Sequence, residues 1–207
     1  RPTHPDAAKP VTIGESITRV EDARFVTGYG QYIDDIRLPG QLEVMFLRSP
    51  VAHARITSLD VSDARDASGV KLVITGEEWI AAGYGPVPTK SPLRKMRDGS
   101  PFREPTRHCL AVGMVHHAGE AIAMVVAETR QQAQDAIELI EVDFEEIDPV
   151  VEQTAAKADG APQLWDLAPN NVCLDFELGN RDVVEEALGS ADHVVTIEIR
   201  NNRVTAA

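Results

Sequence analysis

The chain has 207 residues, 43% hydrophobic and 26% charged, which is the composition of a folded domain and not of a disordered segment. Its net charge of −13 argues against non-specific binding to nucleic acid or to an anionic membrane. The longest apolar runs, such as Ala121 to Ala127, fall well short of the roughly 20 residues a membrane-spanning helix needs.

The start, Arg1-Pro2-Thr3-His4, has neither an initiator Met nor an apolar signal region and reads as trimmed. Residues 1–28 are polar and carry Pro2, Pro5 and Pro10, so they are expected to form an extended arm. A globular part follows over 29–148. In it Leu42, Val44 and Phe46 alternate with Glu43, Met45 and Leu47, which predicts a strand with one buried face. A second strand is expected over Ala54 to Leu59. A short helix over Asp63 to Ala67 follows, with Ser62 as its N-cap. Val70 to Ile74 reads as a buried strand. Thr75-Gly76-Glu77-Glu78 has the form of a capping box, opening a helix to Ala82 that Gly83 stops.

Residues 83–107 hold five prolines and no apolar periodicity. They also hold Lys90, Arg94, Lys95, Arg97, Arg103 and Arg107 against only Asp98 and Glu104. A loop this long is either a docking segment, with Lys90, Arg94 and Arg97 at the interface, or a solvated excursion. Ala121 to Ala127 then reads as a fully apolar strand. Thr129 to Gln132 has capping-box form, and Ala133, Ala136, Ile137 and Ile140 line one helix face. Glu141 to Glu145 alternates as a strand. Strand, helix and strand together predict a right-handed parallel crossover. Residues 149–207 form a looser connection. They contain a short helix around Val183 to Leu188, with Gly189 as its stop, and a strand over His193 to Arg200.

Few residues offer chemistry. His108-Cys109 and His116-His117 match no usual zinc spacing and flank strands, where neighbouring side chains point to opposite faces, so no metal site is assigned. Gly28-Tyr29-Gly30 lacks a preceding apolar strand and a third glycine, which leaves tight turns rather than a phosphate loop. Asp34-Asp35 and Glu145-Glu146 are neighbours in sequence and do not form a pair facing one site. Ser49 lacks a glycine-flanked elbow, and Cys109 and Cys173 lack any local sign of activation. Two cysteines fit a reducing compartment, the cytoplasm, better than a disulfide framework, with a single bridge between them left open. No residue is assigned a catalytic role.

Four blocks carry a resemblance. Arg19 to Gly28 with Tyr32 to Ile36, Phe46 to Ile56, Gly119 to Thr129 with Ala133 to Asp143, and Asp175 to Gly179 with Ala191 to Arg203 occur in that order. Together they resemble the opening of the molybdopterin-binding large subunits of the xanthine oxidase, aldehyde oxidase and carbon monoxide dehydrogenase family. The resemblance implies an α+β fold, an α/β-hammerhead domain over 29–148 followed over 149–207 by a connection and the truncated start of a molybdenum-cofactor domain, the rest of which lies outside this stretch. It implies an oxidoreductase that hydroxylates its substrate with oxygen from water. Electrons would leave molybdenum through iron–sulfur clusters on a small subunit to FAD on a medium subunit.

The family's pterin loops and catalytic glutamate have no counterpart here, so this stretch alone is expected to bind no cofactor and to be inactive. Asn202 and Arg203 fall where the chain enters the cofactor domain and are the residues expected nearest to it. Arg48, His53 and Arg55 sit at matched positions and are expected either at subunit and domain contacts or bracing turns and strand ends. The other function the sequence allows is a stand-alone hammerhead module that binds a partner and catalyses nothing.

Overall fold

The computed structural model describes residues 13–14, 19–88 and 95–199. In chain order the elements are α1 (Asp22–Val26), β1 (Glu43–Arg48), β2 (Ala54–Asp60), α2 (Ser62–Asp66), β3 (Val70–Thr75), α3 (Gly76–Ala81), β4 (Met114–Val115), β5 (Ala121–Ala127), α4 (Arg130–Glu138), β6 (Glu141–Glu146), α5 (Gln153–Ala156) and α6 (Arg181–Gly189).

Strand β5 is apolar throughout because it is the centre of a three-stranded antiparallel sheet, between β1 and β3. Its Ala123, Val125 and Ala127 face the main core, where Ala133 and Ala136 of helix α4, and Ile140 just past its end, pack with them. That helix carries the apolar face expected of it. Its start differs from a full capping box. Thr129 Oγ1 accepts from the Gln132 backbone N–H at 3.2 Å, but the Gln132 side chain turns to the Thr129 hydroxyl instead of the backbone.

The capping box of α3 forms as expected. Glu78 N–H donates to Thr75 Oγ1 at 3.3 Å, and Thr75 N–H donates to Glu78 Oε2 at 3.0 Å. Gly76 is required here, since a Cβ would lie 2.4 Å from Ala111 O and 2.9 Å from Leu110 O.

Several expectations are corrected. Strands β5 and β6 do not form a parallel crossover. β6 pairs antiparallel with β2 in a second sheet of order β4–β2–β6, and α4 carries the chain from one sheet to the other. The alternation in β6 is that of an edge strand with one wet face, whereas a strand inside a parallel sheet is buried on both. Val70 to Ile74 is likewise an edge strand, with Leu72 exposed.

The arm is not extended throughout, because α1 forms over Asp22–Val26 and ends at Thr27. Helix α2 begins one residue early, at Ser62. Asp60 Oδ1 accepts from the Ser62 N–H at 2.8 Å, so Ser62 is not the cap. Helix α6 includes Gly189 and is capped by Asn180, whose side chain accepts from Val183 N–H at 3.2 Å. Residues 193–199 are exposed and belong to no strand, since no described strand lies beside them to complete the hydrogen bonds.

A smaller core joins the two sheets, with Ala54, Ala111, Val115 and Ile122 buried together. Its edge holds the side chains that follow.

Candidate functional site

The end of β1 and the start of β5 are stitched by backbone bonds. Ser49 N–H donates to Glu120 O and Gly119 N–H donates to Ser49 O, both at 2.8 Å. Gly119 takes φ +84°, a left-handed turn that glycine adopts without strain. Arg48 braces this turn. Its Nη1 donates to Gly119 O at 2.8 Å while its guanidinium lies 5.7 Å from the Phe46 ring centre.

Beyond the turn opens a cleft of about 420 Å3. Phe46, Arg48, His116, Glu120 and Trp165 are among its lining residues, together with Arg107, His108 and Cys109. Glu120 is the one carboxylate among its lining residues. It accepts from the His116 backbone N–H, and its oxygens lie 3.4 Å from His116 Nδ1 and 3.8 Å from His117 Nδ1. Burial by itself would raise its pKa, but these hydrogen bonds and the two imidazoles outweigh burial and hold it below the usual carboxylate value.

His116 is clamped between rings. Trp165 stacks on it at 3.8 Å between centroids and 9° from parallel, and His53 lies behind it at 6.4 Å. His53 is 3% exposed and neither ring nitrogen has a hydrogen-bond partner. Burial first, and then the neighbouring His116, lower its pKa, and the nearby Asp148 backbone opposes this only in part. His53 is therefore neutral at physiological pH.

Trp165 reaches the cleft from a loop without regular structure. Asn171 holds that loop in shape. Its side chain donates to Ala156 O and to Pro162 O and accepts from Leu164 N–H, each at 2.9 Å. Asn171 adopts φ +56°, where Asn is tolerated better than most residues.

Of the interface residues expected from sequence, Arg48 lies in the cleft and His53 behind it. Arg55 is on the surface, 3.5 Å from Glu145 across the β2–β6 pair. Arg97 turns back onto its own chain, pairing with Asp175 at 2.9 Å and Glu177 at 3.2 Å. Lys90, Arg94, Asn202 and Arg203 lie outside the described residues. The sequence pointed to His116 but gave Glu120 no role, and Trp165 sits in a stretch with no periodicity to single it out.

His116 is half-buried and His117 exposed, both just past the end of β4. Among the described residues no group of three or more His, Cys, Asp or Glu side chains is placed to hold a metal ion. Cys109 and Cys173 are free thiols, and burial pushes the Cys173 thiol upward, toward the unreactive form. Among the described residues no helix is long and apolar enough to cross a membrane.

Two antiparallel sheets joined by a helix, with this cleft at their seam, define an α/β-hammerhead domain. Residues 27–148 match the family described as aldehyde oxidase and xanthine dehydrogenase, a/b hammerhead domain, and the chain belongs to that family. It is 36% identical over 197 residues to the nicotine 6-hydroxylase large subunit of Paenarthrobacter nicotinovorans, covering 94% of this chain and 23% of that protein. It is 38% identical over 146 residues to the carbon monoxide dehydrogenase large chain of Afipia carboxidovorans, covering 70% of this chain and 17% of that one.

Among solved structures, the reconstituted CO dehydrogenase of Oligotropha carboxidovorans superposes with a TM-score of 0.65 at 31% identity, over 87% of this chain and 22% of its own. Quinoline 2-oxidoreductase of Pseudomonas putida 86 gives 0.61 at 40% identity, over 75% of this chain and 19% of its own. The chain thus spans about a fifth of the length of these relatives.

Proposed function

We propose that this chain is the hammerhead part of the large subunit of a molybdenum hydroxylase. That enzyme would oxidise carbon monoxide, an aldehyde or an N-heterocycle with water as the oxygen source. The observation that carries the reading is the match to large subunits along 94% of the chain. Bound molybdopterin would supply the redox chemistry in the complete subunit. Iron–sulfur and FAD subunits would take the electrons onward.

We assign the pterin to the rest of the subunit: in the cleft Glu120 is itself an anion, placed beside His116 and His117, and Arg48 already donates to Gly119 O. No step of the reaction is therefore assigned to this chain, and alone it is inactive. Its work is to hold neighbouring parts of the complex in place, with Arg48 and the cleft wall at such a contact. The basic segment carrying Lys90 and Arg94 would be another. Two free thiols fit a cytoplasmic location.

The test is the molybdenum content of the complex that carries this chain, purified through a tag on its chromosomal copy. Near-stoichiometric molybdenum is expected, together with substrate-dependent reduction of a dye acceptor. An intact complex without molybdenum would overturn the reading in favour of a binding module.

A further inference from the structure

The β1–β5–β3 sheet has two faces, and the described residues cover only one. Helices α2 and α4 pack on the side of Ala123 and Val125. On the other side the register aligns two rows of apolar side chains across all three strands. Val44, Val126 and Leu72 form one row, and Phe46, Met124 and Ile74 the next. Val44 is 49% exposed, Leu72 45% and Phe46 39%. None of the six positions is polar or charged. Charges stand only at the margins, with the Lys71–Glu128 ion pair at 2.7 Å at one end and Arg48 over Phe46 at the other. Phe46 also lines the cleft, so face and cleft are continuous.

We infer that this uncovered sheet face is a permanent seat for the rest of the same polypeptide, the part of the large subunit that lies outside these residues. The inference rests on the proposed function for the existence of that part. Three arguments select this occupant. A face without a polar group resembles a core cut in half, which is the character of an obligate contact and not of one that forms and dissolves. Left in water, apolar strands of this kind invite aggregation, so the cover has to form within the folding chain and not wait for a separate subunit. This stretch spans 23% and 17% of two relatives, so at least three quarters of such a chain remains to provide that cover. A tethered segment is also at high effective concentration before any separate subunit arrives.

The experiment uses the full-length polypeptide that carries these residues, purified both without and with its partner subunits. Val44→Cys and Leu72→Cys are introduced singly. Labelling of each site by a small neutral maleimide is followed by mass spectrometry and compared with the same chain in denaturant. Slow exchange of the β5 amides shows in every sample without denaturant that the domain is folded. The expected result is at least tenfold slower labelling of both sites in the full-length chain without partners, independent of protein concentration. Labelling as fast as in denaturant overturns the inference. So does protection that appears only when the partner subunits are added, or that grows with concentration and marks a second copy. Molybdenum content is read separately. Protected cysteines in a molybdenum-free chain would sink the proposed function while leaving the covered face standing.

Discussion

Trp165 lies flat on the imidazole of His116, 3.8 Å between ring centres and 9° from parallel. This contact ties the irregular loop after α5 to the segment just past β4. Trp165→Ala is expected to cost about 1–2 kcal/mol, from the stacking and the lost apolar contact. Hydrogen exchange should show the loop around residues 160–172 opening while β5 stays protected. Unchanged exchange in that loop would mean the stack carries no tether.

Asn171 should act on the same loop from within. Asn171→Ala removes three hydrogen bonds and places alanine at φ +56°. A loss of about 2 kcal/mol is expected in chemical denaturation. It should come with a change in Trp165 fluorescence, because the ring loses its mounting. A stability loss with no change at Trp165 would separate the two residues.

His53 predicts a pH dependence. Its folded pKa is lowered from 6.5, so the unfolded chain takes up the proton first as the pH falls. The stability that goes with neutral His53 is complete above about pH 6.5 and is lost as the pH drops through the lower folded value. His53→Leu should flatten the stability profile below pH 6.5 and leave the domain within about 1 kcal/mol of wild type at pH 8. Glu120 adds a separate, more acidic limb of the same sign, because its folded pKa is lowered from 4.5. Urea melts at half-unit steps between about pH 2.5 and pH 8 would resolve the two, and an unchanged slope in the His53→Leu variant contradicts the assignment.

Gly76→Ala should be among the most damaging single-methyl changes in the domain. The new Cβ would meet the Ala111 and Leu110 carbonyl oxygens, which are backbone and cannot rotate away. A loss of about 2–3 kcal/mol is expected. The neighbouring Thr75→Ala should cost about 1 kcal/mol by loss of the cap alone. Thermal melts of the two variants would order them, and a Gly76→Ala variant as stable as wild type would show that α3 can shift.

Arg97 and Asp175 pair on the surface, so their coupling in a double-mutant cycle should stay below about 1 kcal/mol and shrink with added salt. A larger coupling would mark the pair as shielded in the complete subunit.

The sequence was most legible where burial is local. The apolar run of β5, the face of α4 and the cap at Thr75 can be read from spacing, because each depends on residues within a turn or two. Strand partners cannot be read this way. Alternation in Glu141 to Glu146 says that one face is buried but not which strand lies alongside, so β6 reads as continuing the sheet of β5 when it belongs to the other. Val194, Val195, Ile197 and Ile199 carry the alternation of a strand, yet they are exposed, because a strand exists only with a neighbour. The cleft failed for a different reason. Its parts come from β1, the Gly119 turn and the Trp165 loop, and no spacing along the chain links them.

The segment between α3 and β4 joins the edge strand of one sheet, β3 with its helix α3, to the edge strand of the other, β4. β3 and β5 pair across this excursion, as β1 and β5 do across an even longer one. Such distant pairings make folding slow compared with that of a helical bundle of similar size. They also make the excursion tolerant of change, since doubling a flexible loop adds only about 0.6 kcal/mol of closure entropy. Lengthening or shortening that segment is therefore expected to change equilibrium stability little. What it alters is the time the chain needs to find its register.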